Sequence, residues 1–210
     1  MAARDVDVRV QRPSADATRE SILAAALDLF SERSFEGAST RLIAERAGVQ
    51  QPLLTYHFGT KEELWRAAVG QVFEDLARLL AQRVAGLRGV DDETSAKLVV
   101  SDFVRFSASH PQLHRIIMQE CKTEGDRLAW LVTRHIRPLY EGAVALLEPL
   151  VAAGKVRDVP SAHLYYLLTG AAATIFVLAP ECRILTGIDP VEPSEVERHV
   201  DAVISMLFVS

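Results

Sequence analysis

The chain has 210 residues, 49% hydrophobic and 24% charged, a composition that fills one large or two small cores and excludes a disordered tail or a mini-protein. Its net charge of -5 at pH 7 excludes a broadly basic nucleic-acid coat, and two distant cysteines, Cys121 and Cys182, exclude a disulfide framework and a structural zinc module. A reducing, cytoplasmic setting is the expectation.

Charge interrupts every apolar run in the opening MAARDVDVRVQRPSADATRE. Neither a secretory signal nor a membrane anchor is expected there, and the mature protein is expected to start at this point. Residues 1–16 are polar, carry Pro13 and read as a flexible arm. Beyond them nearly every segment repeats apolar residues at three-to-four spacing, and none alternates with period two over strand length. The fold class is therefore all-α, with about nine helices.

From Asp16 or Thr18, Ile22, Leu23, Ala26, Leu27, Leu29 and Phe30 draw one apolar stripe that stops near residues 34–37. Short helices follow over residues 40–47 and 50–57, separated by Gly48. Thr60 with Glu63 forms a capping box that opens a long helix through Leu64, Val69, Phe73, Leu76 and Leu80 toward Leu87. Asp91 or Asp92 caps the next helix, which His110-Pro111 closes, and Pro111 suits the first turn of another. Residues 126–153 read as one helix bent by Pro138 and Pro149. Pro160 opens a helix to Ala179, and Pro193 opens the last. The expected division is an arm over 1–16, a helix-turn-helix domain over 17–61 and a ligand-binding and dimerisation domain over 62–210.

Residues 39–61, STRLIAERAGVQQPLLTYHFGTK, carry the functional signal. A steep crossing of two helices needs a small residue at the contact, which Ala44 supplies. Gly48 suits the left-handed turn, and Ile43, Ala47, Val49 and Leu54 plug the small core. Thr40, Arg41, Gln50, Gln51, Pro52, Leu53, Thr55, Tyr56 and His57 are left outside, where they can donate to phosphates or read base edges. Within 38–61, Arg41, Arg46 and Lys61 face the single acid Glu45, a small positive patch in an acidic chain. An ordinary helical hairpin is the other reading of this pattern.

Over residues 18–68 the chain resembles the tetracycline-repressor (TetR) family. It has TRxxAxxAGV at 40–49, a short helix ending in the aromatic pair Tyr56-His57, and Lys61 at the start of the next helix. The resemblance implies a role for each matching residue. Thr40 binds phosphate at a helix start. Arg41 reads guanine or holds a phosphate, and Gln51 reads adenine, with Gln50 a weaker candidate. Pro52 packs on a thymine methyl and Lys61 holds a phosphate. Leu53 and Thr55 depart from the hydroxyl or phenol common in the family, so Leu53 meets a thymine methyl instead and Tyr56 or His57 takes over the backbone. Arg4, Arg9 and Arg12 of the arm are either solvated or laid in a minor groove.

A single recognition helix reaches few base pairs, so two copies are expected, paired through the two C-terminal helices around Gly170, Ala171, Ala172 and Ala173. Residues 164–180 are uncharged but fall short of the roughly twenty that span a bilayer. Phe103, Phe106, Met118, Trp130, Arg134, Tyr165 and Phe176 are the candidate ligand-binding residues, with Phe73 and Tyr140 beside them and Arg134 with His135 as an anchor for an anionic effector. His110 and His114 stand four apart without a completing ligand, so no metal, cofactor or catalytic constellation is expected. The function expected is a ligand-responsive regulator that binds a pseudo-palindromic DNA operator as a homodimer and is released by a small molecule when its long helix tilts. A helical ligand-binding or protein-interaction module without DNA binding is the alternative, and an enzyme the third reading.

Overall fold

A computed structural model describes residues 14–209, and the chain divides into two compact units after Ala68. The flexible arm expected over residues 1–16, with Arg4, Arg9 and Arg12, lies outside the described residues up to residue 13. The described part of the chain is helical apart from one isolated antiparallel bridge, Val156 with Phe208.

In the first unit α1 (Ala15–Gly37) begins where the Ser14 hydroxyl accepts a hydrogen bond from the Ala17 N–H, two residues before the expected arm ends. Its helical path breaks at Ser34, whose φ is 61°, inside the stretch where a stop was expected. Next come α2 (Thr40–Arg46), α3 (Gln51–Phe58) and the start of α4 (Lys61–Gly86). Ile22, Leu29, Phe30, Ile43, Leu54, Leu64 and Trp65 are almost wholly buried and make the core of this unit. The Ser21 hydroxyl donates to the Ala47 carbonyl, which ties α1 to the end of α2.

The second unit holds the remainder of α4, then α5 (Asp92–Ser109), α6 (Pro111–Glu120), α7 (Asp126–Leu131), α8 (Arg137–Ala152), α9 (Ser161–Val177), α10 (Ala179–Thr186) and α11 (Pro193–Leu207). Its core joins Val100 and Val104 of α5, Leu147 and Leu150 of α8, Leu168 and Phe176 of α9, and Val203 and Leu207 of α11. Two bidentate ion pairs brace the bundle. Arg83 donates to Asp102 at 2.6 and 3.0 Å, and Arg105 to Glu197 at 2.7 and 2.6 Å.

The single helix expected over 126–153 is continuous but changes pitch. Residues Val132–Ile136 form a π turn, in which the Arg137 N–H reaches back five residues to the Val132 carbonyl. Pro138 follows at once; it has no N–H to donate and its ring crowds the carbonyl four residues back, so one extra residue in the turn relieves it. Pro149 sits inside α8 without breaking it. With α7 and α8 counted as the one helix expected there, the described residues hold one helix more than the nine expected, α10, because Pro180 does not stop a helix but occupies the first turn of a new one.

Candidate nucleic-acid interface

α2 and α3 are joined by a closed turn. The Val49 N–H donates to the Ala44 carbonyl at 3.0 Å and the Gly48 N–H to that of Glu45 at 3.1 Å, the paired bonds that finish a helix when the residue after its cap is left-handed. Gly48 supplies that conformation, with φ at 69°. The Ser39 hydroxyl caps the other end of α2 by accepting from the Leu42 N–H. Ile43 and Ala44 of α2 and Leu54 and Phe58 of α3 face inward, which leaves most of the other side chains of both helices partly or fully exposed.

The structure brings several of the expected residues together. Gln51 Nε2 donates to Thr40 Oγ1 at 3.2 Å, which couples the start of α3 to the start of α2. Arg41, Gln50, Pro52 and Thr55 are exposed, Leu53 less fully so, and Tyr56 is 83% exposed with its ring edge-on to His57. An exposed phenol on a short helix, held among the described residues by its neighbour, is available to a phosphate. Half-buried His57 tilts against Phe58, so it serves packing more than Tyr56 does. The Thr55 hydroxyl is turned back onto the Gln51 carbonyl.

Of the three cations in the expected positive patch, two are engaged within the unit. Arg46 pairs with Glu32 at 2.7 Å, and Lys61 lies 4.5 Å over the Phe35 ring with its ammonium 3.5 Å from the Glu36 carbonyl. Arg41 has no ion-pair partner among the described residues. The expected capping box is present in full. Thr60 N–H donates to Glu63 Oε2 at 2.8 Å, and Glu63 N–H to Thr60 Oγ1 at 3.1 Å. The Thr60 N–H first, and then the Thr60 hydroxyl, both donating to it, hold the Glu63 carboxyl below the usual range.

The expected ligand-binding residues of the second unit are not brought to one place. Phe176 is fully buried in the core, its ring edge-on to His199. Phe106 is buried and stacks on His110, while Phe103 packs on the core and meets His114 edge-on. Met118 is 55% exposed and Arg134 is exposed, so both point away from the core. Trp130 packs edge-on against His135, and His135 stacks on Phe73.

Tyr165 alone of the expected set lines the open cleft of about 360 Å³ between α8 and the start of α9, with Val144, Leu147, Val151, Val159 and Leu164. Burial first, then the nearby Tyr166, pushes the Tyr165 phenol up to about 12. The apolar period of α8 could have pointed to this cleft, but periodicity does not say which buried stripe leaves a gap.

His110 and His114 do not converge on a shared ligand position. His114 Nε2 lies 3.0 Å from the Ser107 hydroxyl, and burial drives its pKa down to about 4. No group of three or more metal-ligating side chains occurs among the described residues. No single described helix is long and apolar enough to cross a membrane.

Residues 22–68 match the family of bacterial regulatory proteins called tetR. The chain is 31% identical over 174 residues to the HTH-type transcriptional regulator RutR of Escherichia coli K12, covering 81% of this chain and 79% of that protein. It is 27% identical over 173 residues to the HTH-type transcriptional repressor NicS of Pseudomonas putida, covering 80% and 79% respectively. Among solved structures, a TetR-like transcriptional regulator from Rhodococcus sp. RHA1 superimposes with a TM-score of 0.66 at 22% identity, over 93% of this chain and 96% of that one.

Proposed function

This chain belongs to the tetR family of bacterial regulatory proteins and is a transcriptional regulator, and from that premise we propose that it represses its target as a homodimer on a pseudo-palindromic operator. A small molecule bound in the second unit releases it. The observation that carries the DNA-binding reading is the closed α2–α3 turn. With Gly48, Val49 and Leu54 consumed by the turn and its core, Thr40, Arg41, Gln51 and Tyr56 form an outward face on one short helix pair. That face offers a guanidinium, an amide and hydroxyls in the arrangement that reads base edges and grips phosphates.

Ala172 and Ala173 of the expected seam are buried within the protomer, so it is the outer surface of α9 that supports two copies. Tyr166, Leu167, Gly170, Thr174 and Leu178 recur at three-to-four spacing and are all exposed in the single chain. A Cβ at Gly170 would meet nothing within 4 Å, so nothing inside the protomer requires a glycine there. A second copy of the helix approaching closely does. Release requires that the effector bind the DNA-incompetent form more tightly than the competent one, since equal affinity for both shifts nothing.

The test is selection of bound fragments from random DNA, followed by gel retardation of the selected sequence. Arg41→Ala and Gln51→Ala should each relax base preference by about 1–3 kcal/mol, whereas Lys61→Ala should weaken all sequences alike and lower the salt slope by about 1. Uniform losses from all three would remove the assigned roles, and no retardation at low salt would remove the reading. Sedimentation of the free protein reads the dimer directly.

A further inference from the structure

The α7–α8 helix holds a polar atom that the fold itself does not satisfy. The π turn at Val132–Ile136 carries His135, whose half-buried ring lies against Gly70 and Phe73 of α4. Its ring lies parallel to buried Phe73, with centroids 4.7 Å apart, and the Trp130 ring meets it edge-on at 4.8 Å. On the α4 side stands Gly70, where a Cβ would come to 3.8 Å from His135 Nε2 and 3.7 Å from Trp130. That nitrogen is shielded from solvent and has no hydrogen-bond partner among the described residues. A buried imidazole nitrogen left unbonded is costly, and π turns inside helices are frequent at functional sites. Pro138 explains why the turn exists, but not why the residue it turns inward is a histidine rather than an apolar ring.

Resting on the reading that the second unit binds an effector, we propose that His135 Nε2 is the polar contact of that effector: a small, flat, uncharged molecule bearing a hydroxyl or carbonyl at its edge. The flatness follows from the aromatic walls, Phe73 and Trp130, and from the absence of a side chain on Gly70. The lack of charge follows from the surroundings. Burial first, then the Arg134 cation, holds the imidazole below its usual pKa, and Glu74 opposes them more weakly. The ring therefore stays neutral, and Arg134 itself is exposed, so the anionic anchor expected from the pair Arg134 and His135 is not what this geometry offers. A neutral imidazole can donate or accept at Nε2, and a hydroxyl serves either tautomer. Trp130 and His135 are both half-buried while Phe73 is buried, so a ligand enters on their side of the cluster.

Phenol, toluene and benzoate separate the terms, because phenol and toluene differ by a hydroxyl for a methyl and benzoate adds a charge. With the full-length protein labelled with ¹⁵N histidine, phenol should shift the His135 ring signals and bind at least tenfold more tightly than toluene or benzoate. His135→Phe should weaken phenol at least tenfold and leave toluene unaffected. Gly70→Ala, whose new methyl makes only ordinary contacts, should weaken phenol and toluene together, at least fivefold, with the thermal melt unchanged. Equal phenol affinity in His135→Phe, tightest binding by benzoate, or a resident water bonded to Nε2 throughout would overturn the proposal. A chain that retards DNA while its His135 signals ignore phenol sinks this site alone. One whose His135 responds but which never retards DNA sinks the regulator reading alone.

Discussion

Both units contain a break in helical regularity, and the two breaks are resolved in opposite ways. Between α2 and α3 the backbone donors freed by the turn are recaptured within five residues, Val49 by Ala44 and Gly48 by Glu45, so the turn closes on its own backbone. At the π turn the backbone is again satisfied, Arg137 by Val132, but a side-chain nitrogen is carried into an aromatic cluster and left without a partner. A break that closes on itself makes a rigid platform whose remaining groups face outward to a large partner. A break that strands a polar atom needs a small partner to come inside.

Substitutions of graded effect test this difference between the two units. Leu54, 1% exposed, is the plug of the first unit. Leu54→Ala should cost about 3 kcal/mol and abolish DNA retardation, with amide exchange accelerated in α2 and α3 but not in α9. Acceleration in both units alike would mean that the platform is not an independent element.

The next effect lies in the second unit. His114 has a folded pKa of about 4 against an ordinary value near 6.5, so the unfolded chain takes up a proton before the folded one does. The associated stability is complete above about pH 6.5 and is lost as the pH falls toward 4, amounting to about 2 kcal/mol between pH 7 and pH 5. Urea denaturation at those two pH values reads it, and His114→Gln should remove the larger part of the difference, with His135, also held below its usual pKa by burial, carrying the rest. The carboxylates with lowered pKa values, Glu63 among them, begin to lose their contribution only below about pH 4.5, so the first unit should hold through this window. Equal acid loss in both units would contradict the assignment.

The smallest expected effect is Thr60→Ala, which removes one half of the capping box at the start of α4 and should cost about 1 kcal/mol in a thermal or urea melt. No change at all would mean that α4 is held by its buried face alone.

The legibility of these features follows their range. The Ala44–Gly48–Val49–Leu54 spacing and the Thr60–Glu63 box are interactions between residues a few positions apart, and each was written plainly in the sequence. α10 was not, because Pro180 reads both as a terminator and as a first-turn residue, and only the path of the chain chooses between them. Lys61 was legible as a cation at a helix start, but its place over the Phe35 ring was not, since that depends on how α1 ends at Ser34.

The ligand-binding candidates were the least legible. Phe176 and Met118 are both apolar residues on amphipathic helices. One is fully enclosed and the other 55% exposed, and periodicity assigns a face without saying what will lie against it.

Capping, left-handed glycine and helical period act within one or two turns, so the helical class, the closed turn of the first unit and the residues which that turn leaves outside could all be read locally, whereas the division of the chain falls after Ala68 rather than near Lys61. Tertiary structure decided which aromatics are core and which form a cleft, and it turned His135 inward against Phe73 and Gly70. Those outcomes depend on which helices meet across dozens of residues, and packing at that distance is set by shape rather than by any local pattern.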